Sequence, residues 1–410
     1  MITRGGYGKK IKYRFGFWPK LPPKKNNIKR IWIQAVSVGE LLSIHKLLDS
    51  FFSNPKVEIV LSGTTSTGQK IAHEKYQHFA LALGPFPLDW FIFSSIAWSR
   101  IKPDLVVCTD SELWPEHMHQ SRKRNIPFCI INGRLSDNSF SRLKRSGPFR
   151  ELFTPVNLHI FATSENQLSR WKKIGVKESN VITTGNLKVD STPIEPPQIK
   201  QKQERKLEMG FAPNSIVLAG ISTWPGEEKF LIEYLKKIRI QKPDVKLLLI
   251  PRHAERRNEI VEIIKSHSLS FSQRSISVSD KNNRNPNIYL ADTTGELKDL
   301  IIAADVGFLG KTLPPKDEGQ NPIEATSLGI PLVMGPKASN FSEITKELLQ
   351  VGSARNGQSP KQIEEILTSL LVDPQKCEKM SKAGLKWRMK QASPTNKTRQ
   401  ALEKILFPND

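Results

Sequence analysis

A carboxylate four residues beyond an apolar run is the first group in this chain placed to do chemistry. Ser37-Val38-Gly39-Glu40 follows the run Ile31–Val36, and Glu40 opens the next helical pattern. There it is either an acid favoured by the helix dipole or a general base at the edge of a binding cleft. Thr109-Asp110-Ser111-Glu112 follows Leu105–Cys108 in the same way. Its two carboxylates suit either acid/base work or helix capping, and Arg134 in Asn132-Gly133-Arg134 stands to pair with one of them. Gly63-Thr64-Thr65-Ser66-Thr67-Gly68 offers small hydroxyls and backbone N–H groups, to hold an anion or to cap a helix. It lacks the Gly-Lys-Ser/Thr ending of a Walker loop. Lys188, in Gly185-Asn186-Leu187-Lys188-Val189-Asp190, is either a cleft cation that neutralises a phosphate or carboxylate or a solvated lysine.

The second half repeats the arrangement with different groups. Ser222-Thr223-Trp224-Pro225-Gly226-Glu227-Glu228, Pro251-Arg252-His253, Asp292-Thr293-Thr294-Gly295-Glu296-Leu297 and Glu318-Gly319-Gln320-Asn321-Pro322-Ile323-Glu324 each follow a strand-like run or open a helix. A guanidinium, a glycine-opened helix start and a carboxylate on the next helix are what a nucleotide needs: the first two take phosphate, the third takes ribose hydroxyls. His117 and His119 point to different faces of a helix and have no accompanying Cys or acid cluster, so no metal site is expected.

These loops need a frame. Strand-like runs fall at Ile31–Val36, Val57–Leu61, Leu105–Cys108, Phe128–Ile131 and His159–Ala162. They resume at Ile216–Ala219, Lys246–Ile250, Ile288–Leu290, Val306–Leu309 and Pro331–Met334. Helical patterns alternate with them, the signature of βα units and parallel sheets. The pattern pauses at Asp190–Glu204, which carries three prolines, as a linker does. Ser270–Asn287 reads as a polar loop. The expected organisation is therefore a basic, aromatic segment 1–30, an α/β domain 31–190, a linker 191–204, and a second α/β domain 205–410 ending in helices. Two Rossmann-like parallel-sheet domains facing a central cleft would present their strand-end loops to each other.

The chain has 62 Lys+Arg against 40 Asp+Glu, a net charge of +22. Ten of the basic residues lie in 1–30, a stretch with no acid, interleaved with Tyr7, Tyr13, Phe15, Phe17 and Trp18. Nucleic acid, an anionic membrane and a phosphorylated substrate all attract such a surface; cations mixed with aromatics suit a membrane interface. No apolar run reaches the ~18 residues of a spanning helix. Three scattered cysteines make neither a disulfide framework nor a zinc site.

Taken together, the loops resemble the Kdo transferases of lipopolysaccharide assembly, glycosyltransferases that move 3-deoxy-D-manno-octulosonic acid from CMP-Kdo to a lipid A precursor. The resemblance runs in order from about Tyr13 to Phe341. It rests on SVGE at Ser37–Glu40, TTSTG at Thr64–Gly68, PFPLD at Pro85–Asp89, SELWP at Ser111–Pro115 and NGRLS at Asn132–Ser136. It continues through GNLKVD at Gly185–Asp190, STWPGEE at Ser222–Glu228, PRHAER at Pro251–Arg256, DTTGEL at Asp292–Leu297, and NPIE at Asn321–Glu324 with Asn340-Phe341. It implies the metal-independent GT-B architecture without a cofactor, Glu40 as general base, and charge stabilisation by Asp110 and Lys188. It places CMP at Pro251-Arg252, Thr294-Gly295-Glu296 and Asn321-Pro322-Ile323-Glu324, with Glu324 on the ribose. Lys188, Arg252 and a helix opening at Gly295 would stabilise the departing phosphate.

The chain departs from the family pattern at Asp110 (usually Glu, with adjacent Glu112 standing to share the role), Glu116 (usually Asn), Gln34 (usually His), Glu318 (usually Gly) and Gln320 (usually His). Family members usually begin with a membrane-spanning segment; either the start is truncated here or the basic N-terminus holds the membrane by itself. The expected partners are CMP-Kdo, the lipid A precursor and an anionic membrane at the cytoplasmic face of the inner membrane, with no nucleic acid. The rival readings are another GT-B nucleotide-sugar enzyme, such as a UDP-sugar epimerase, and a nucleic-acid-binding protein, for which the sequence shows no recognition motif.

Overall fold

The computed structural model describes residues 8–190, 192–276, 285–391 and 393–408. The chain divides into two compact units, Met1–Ser191 with Gln391–Asp410, and Thr192–Lys390.

In the first unit, β1 (Lys29–Gln34), β2 (Val57–Gly63), β3 (Ala82–Pro85), β4 (Leu105–Thr109), β5 (Phe128–Gly133), β6 (Leu158–Ala162) and β7 (Val181–Thr183) form one parallel sheet in the order β3-β2-β1-β4-β5-β6-β7. Helices cover both faces, so the central strands are apolar throughout; all five residues of β4 are buried. Alternation then divides the core in two. Trp32, Val106, Cys108, Phe128 and Ile130 pack on one face with Trp18, Phe86, Trp98 and Trp171. Ile31, Ile33, Leu105, Val107 and Cys129 pack on the other.

The amino-terminal segment is part of this unit rather than a free tail. After a 3-10 helix at Gly8–Phe15, Trp18 is fully buried and Tyr13 packs against it, ring centroids 5.1 Å apart. Arg30 is also buried, donating to Glu58 Oε1 at 2.6 Å and to the carbonyls of Ile101 and Pro22, which compensates the burial of its charge.

In the second unit, β8 (Ile216–Thr223), β9 (Val245–Pro251), β10 (Phe271–Gln273), β11 (Ile288–Leu290), β12 (Val306–Leu309), β13 (Leu332–Met334) and β14 (Ala354–Asn356) form a second parallel sheet, ordered β10-β11-β9-β8-β12-β13-β14. Strand β10 lies inside the stretch Ser270–Asn287 expected to be a polar loop; positions 277–284 of that stretch lie outside the described residues.

Two boundaries differ from expectation. The linker is only partly irregular: after the prolines, Ile199–Glu208 is a helix with a Gln198/Gln201 capping box, and Lys206 anchors it to Asp305 Oδ2 at 2.9 Å. The carboxyl-terminal helix Pro394–Leu406 belongs to the first unit. Leu402 and Leu406 complete the first unit's core, and Thr395 N donates to Asp190 Oδ2 at 2.7 Å.

Candidate active site

In each sheet one pair of adjacent strands sends its connections in opposite directions. Ligands bind outside the carboxyl ends of such a pair. In the first unit the pair is β1 and β4, with Gln34 aligned on Cys108; Glu40 lies beyond one strand and Asp110 and Glu112 beyond the other.

Ser37 caps the short helix Val38–Ser43, its Oγ accepting from Glu40 N. The Glu40 carboxylate returns over the turn: Oε1 accepts from Ser37 Oγ at 3.1 Å, and Oε2 accepts from Val36 N at 2.8 Å and from Thr109 Oγ1. Thr109 ends β4, so Glu40 ties the two switch-point strands together. Glu40 is a first-turn acid whose carboxylate is aimed back at the strand ends. Burial raises its pKa, the three hydrogen bonds oppose the rise, and nearby Asp110 adds to it.

Asp110 adopts a left-handed backbone (φ 55°), as does Asn132 (φ 54°). Its Oδ1 accepts from Asn132 Nδ2 at 2.5 Å and its Oδ2 pairs with Arg134 at 3.2 Å. Asn132 Oδ1 in turn accepts from Leu187 N at 3.1 Å, which positions the turn carrying Lys188. Burial lowers the Lys188 pKa, Asp110 and Glu40 pull it up, and Arg134 pushes it down. Glu40, Asp110 and Lys188 thus share one electrostatic neighbourhood. Glu112 joins it: burial and the charges of Glu40 and Asp110 push its carboxyl up to about 7.

The hydroxyl loop packs beside Glu40. Thr65 caps the helix Ser66–Tyr76 through Gly68 N, and a side chain at Gly68 would press on Thr65 Oγ1 and the backbone of Ser37 and Val38. Buried Gln34 spans the loop, donating to Thr64 Oγ1 at 2.9 Å and accepting from Ser62 Oγ at 2.8 Å. His117 is a core residue: it accepts from Trp98 Nε1 at 3.1 Å, packs on Phe86, and burial pushes its pKa down to about 3.

In the second unit the diverging pair is β8 and β12, with Ile221 aligned on Leu309. Glu227, buried at the start of the helix Glu227–Ile238, fastens the loops together. Its Oε2 accepts from Trp224 N and Lys311 N, both at 2.8 Å. Its Oε1 accepts from Thr312 N at 2.8 Å and Leu313 N at 3.1 Å. Glu228, also buried, pairs with Arg256 at 2.8 Å.

Pro251 ends β9, and Arg252 N donates to Thr223 O at 3.0 Å while its side chain stands exposed. Asn321 Oδ1 accepts from Ile323 N at 3.1 Å, and Pro322 caps the helix Ile323–Ser327 that carries Glu324. Burial raises the Glu324 pKa, and the cations Lys298 and Arg252 bring it back down. Arg252 and Glu324 are therefore neighbours, with Lys298 a third member that sequence reasoning missed. Thr294 and Gly295 are exposed, and Glu296 pairs with Arg274 at 2.8 Å. The helix after them opens at Leu297 rather than at Gly295 and has five residues, too short for a full macrodipole.

Among the described residues no group of three His, Cys, Asp or Glu side chains could hold a metal ion, and no helix is long and apolar enough to cross a membrane.

Comparison with known proteins gives this arrangement a lineage. The model of the family described as 3-Deoxy-D-manno-octulosonic-acid transferase (kdotransferase) matches residues 9–191. A 3-deoxy-D-manno-octulosonic acid transferase of Haemophilus influenzae is 28% identical over 98% of this chain and 90% of its own length. One of Rickettsia conorii is 30% identical over 86% of this chain and 73% of its own length. The fold is that of UDP-GlcNAc 2-epimerase from Neisseria meningitidis, with a TM-score of 0.59 over 93% of this chain and 100% of that one, at 14% identity. With two seven-stranded parallel sheets in a GT-B-like fold, this chain belongs to the 3-deoxy-D-manno-octulosonic acid transferases, a family of glycosyltransferases.

Proposed function

We propose that the chain transfers Kdo from CMP-Kdo to a lipid A precursor, lipid IVA, by an inverting single displacement with no cofactor. A hydroxyl of the acceptor glucosamine attacks the anomeric carbon as the bond from that carbon to the CMP phosphate breaks. Glu40 takes the hydroxyl proton. Asp110 and Lys188 balance charge around it, and the electron pair leaves on the phosphate. Arg252 meets that phosphate, Pro251, Thr294, Gly295, Glu296, Asn321, Pro322 and Ile323 line the CMP, and Glu324 takes the ribose hydroxyls. The observation that carries this reading is the half-buried Glu40 carboxylate at a strand switch point, its pKa raised by burial, the direction in which a general base is tuned.

The test is incubation with CMP-Kdo and tetraacylated lipid A precursor, with products weighed by mass spectrometry. A mass increase of one or more Kdo units supports the reading, and no increase refutes it. A positioned base contributes ~10²–10⁴-fold. Glu40→Ala is expected to lose that much transfer and still bind CMP; transfer near the parental rate would remove Glu40 from the role. A larger thermal shift with UDP than with CMP would favour the epimerase-like alternative.

We also propose that the protein works on an anionic membrane, at the cytoplasmic face of the inner membrane. Ile11, Phe15, Phe17, Trp90, Phe91 and Ile92 are all exposed, on the 3-10 helix, the segment after it and the start of the helix Phe91–Ile101. The Phe15 ring packs edge-on to Phe93 at 5.3 Å, and Lys12 and Lys20 stand exposed close by in sequence. Aromatics flanked by lysines match a headgroup interface. Because Tyr13 and Trp18 are core residues, removing the segment would damage the fold. Phe91→Asp is the cleaner probe and should reduce sedimentation with anionic liposomes. Unchanged, salt-insensitive sedimentation would argue against this surface.

A further inference from the structure

One cluster in the second unit lies outside the residues proposed to hold the nucleotide. At the carboxyl ends of β8, β9 and β12, cations gather on the Trp224 indole. Lys311 Nζ lies 4.3 Å and Lys316 Nζ 5.3 Å from the ring centroid, and the His253 ring meets it edge-on at 5.0 Å. Each ammonium is attracted to the ring face, but two on one indole repel each other. Glu318 pairs with Lys311 at 3.0 Å, which occupies one of that ammonium's three donors. Lys316 makes no ion pair among the described residues. The buried Trp224 Nε1–H has no hydrogen-bond partner among the described residues, a costly state for a donor.

The backbone here is held rather than relaxed. Ser222 (φ 54°) and Lys311 (φ 61°) are both left-handed without being glycine, a conformation that concentrates at ligand sites. Glu227 fixes both loops through its four backbone hydrogen bonds, so the cations are preorganised. Arg252 N bonds to Thr223 O, which sets Trp224 and His253 directly beside the proposed phosphate ligand. Glu318 balances only one of the two ammonium groups; what the cluster lacks is a second anion and an acceptor for the indole N–H, and one carboxylate supplies both.

We propose that Trp224, Lys311 and Lys316 form a carboxylate subsite that holds the acid group of the donor sugar. The inference rests on the CMP-Kdo reading. In an octulosonic acid the carboxylate is attached to the anomeric carbon, next to the phosphate that Arg252 would meet. CMP alone has no such group, so the subsite is felt only when the sugar is present.

The test is calorimetric titration of the full chain with CMP and with CMP-Kdo, for the parent and for Lys316→Gln, Lys311→Asn and Trp224→Phe. Asparagine tolerates the left-handed backbone at 311, and melting curves confirm that each variant is folded. A lost charge-assisted hydrogen bond corresponds to about a tenfold change. Each lysine variant should weaken CMP-Kdo by about that factor and leave CMP within about twofold; Trp224→Phe should act in the same sense. Equal weakening of both ligands, or unchanged CMP-Kdo affinity in all three variants, overturns the subsite. If the parent binds CMP-Kdo and all three variants bind it equally tightly, the subsite alone fails. If the parent binds neither ligand, the donor reading fails with it.

Discussion

Glu40 and Glu112 are half-buried at the same strand ends, yet they differ in what holds them. Glu40 accepts three hydrogen bonds that oppose its rise in pKa, whereas Glu112 is raised by Glu40 and Asp110 as well as by burial. Burial and those two charges push the Glu112 carboxyl up to about 7. The two belong to a coupled set whose apparent values are shared. For a carboxyl raised in the folded state, the native protein binds more protons between the unfolded and folded values, so stability falls as pH rises through that window. For Glu112 the window runs from 4.5 to about 7. Glu112→Gln should accordingly raise the melting temperature at pH 8 relative to the parent, with the gain vanishing below pH 4.5; a constant gain across that range would contradict the assignment. Asp110→Asn removes a charge that raises Glu40. In kcat/KM it should shift the acid limb to lower pH, and an unmoved limb would show that the Asp110 charge is not felt at the base. Glu40 and Asp110 were legible in the sequence because each lies within a few residues of the end of an apolar run, and Lys188 through the GNLKVD motif of the family resemblance. Asn132, which joins Asp110 to the Lys188 turn, was not, because its left-handed backbone and its long-range bond to Leu187 leave no mark in spacing. Lys298 was hidden for a related reason: one exposed lysine on a helix looks like any other until Glu324 faces it.

The elements that sequence reasoning overlooked share a position. Strands β3, β7, β10 and β14 are the four sheet edges, only three or four residues each. An edge strand is buried on fewer sides and kept short to avoid pairing with other chains, so it leaves no apolar run to detect. The central strands, buried on both faces, appeared within a few residues of their true limits. The helix Ile199–Glu208 was read as linker because the prolines just before it dominate the composition and its own apolar content is low. Glu227 carries the prediction at this scale. It was read as one of two acids opening a helix, and it is the fastening between β8 and β12. Glu227→Ala would leave four buried N–H groups without an acceptor, each costing about 1–3 kcal/mol if unmet. With partial relaxation, a loss of about 3 kcal/mol is expected in urea unfolding. A loss under about 1 kcal/mol would mean that the loops hold without it.

At the scale of the whole molecule, the chain leaves its first unit once and returns to it. Charge and composition gave no hint of the return, since the last helix is amphipathic and fits either unit by pattern alone. What decides is a specific set of contacts: Leu402 and Leu406 in the core beside Ile31, Ile33 and Leu48, and Thr395 N on Asp190 at the chain's exit. The first unit, which carries Glu40, Asp110 and Lys188, is thus completed by a helix that follows the second unit in the sequence. Leu402 is fully buried, and truncating a buried leucine costs about 2–5 kcal/mol. Leu402→Ala should therefore speed amide hydrogen exchange in β1, β2 and β4 and leave β8, β9 and β12 protected as in the parent, with CMP affinity unchanged. Faster exchange confined to the second sheet would assign the helix to that unit instead, and with it the stability of the donor site.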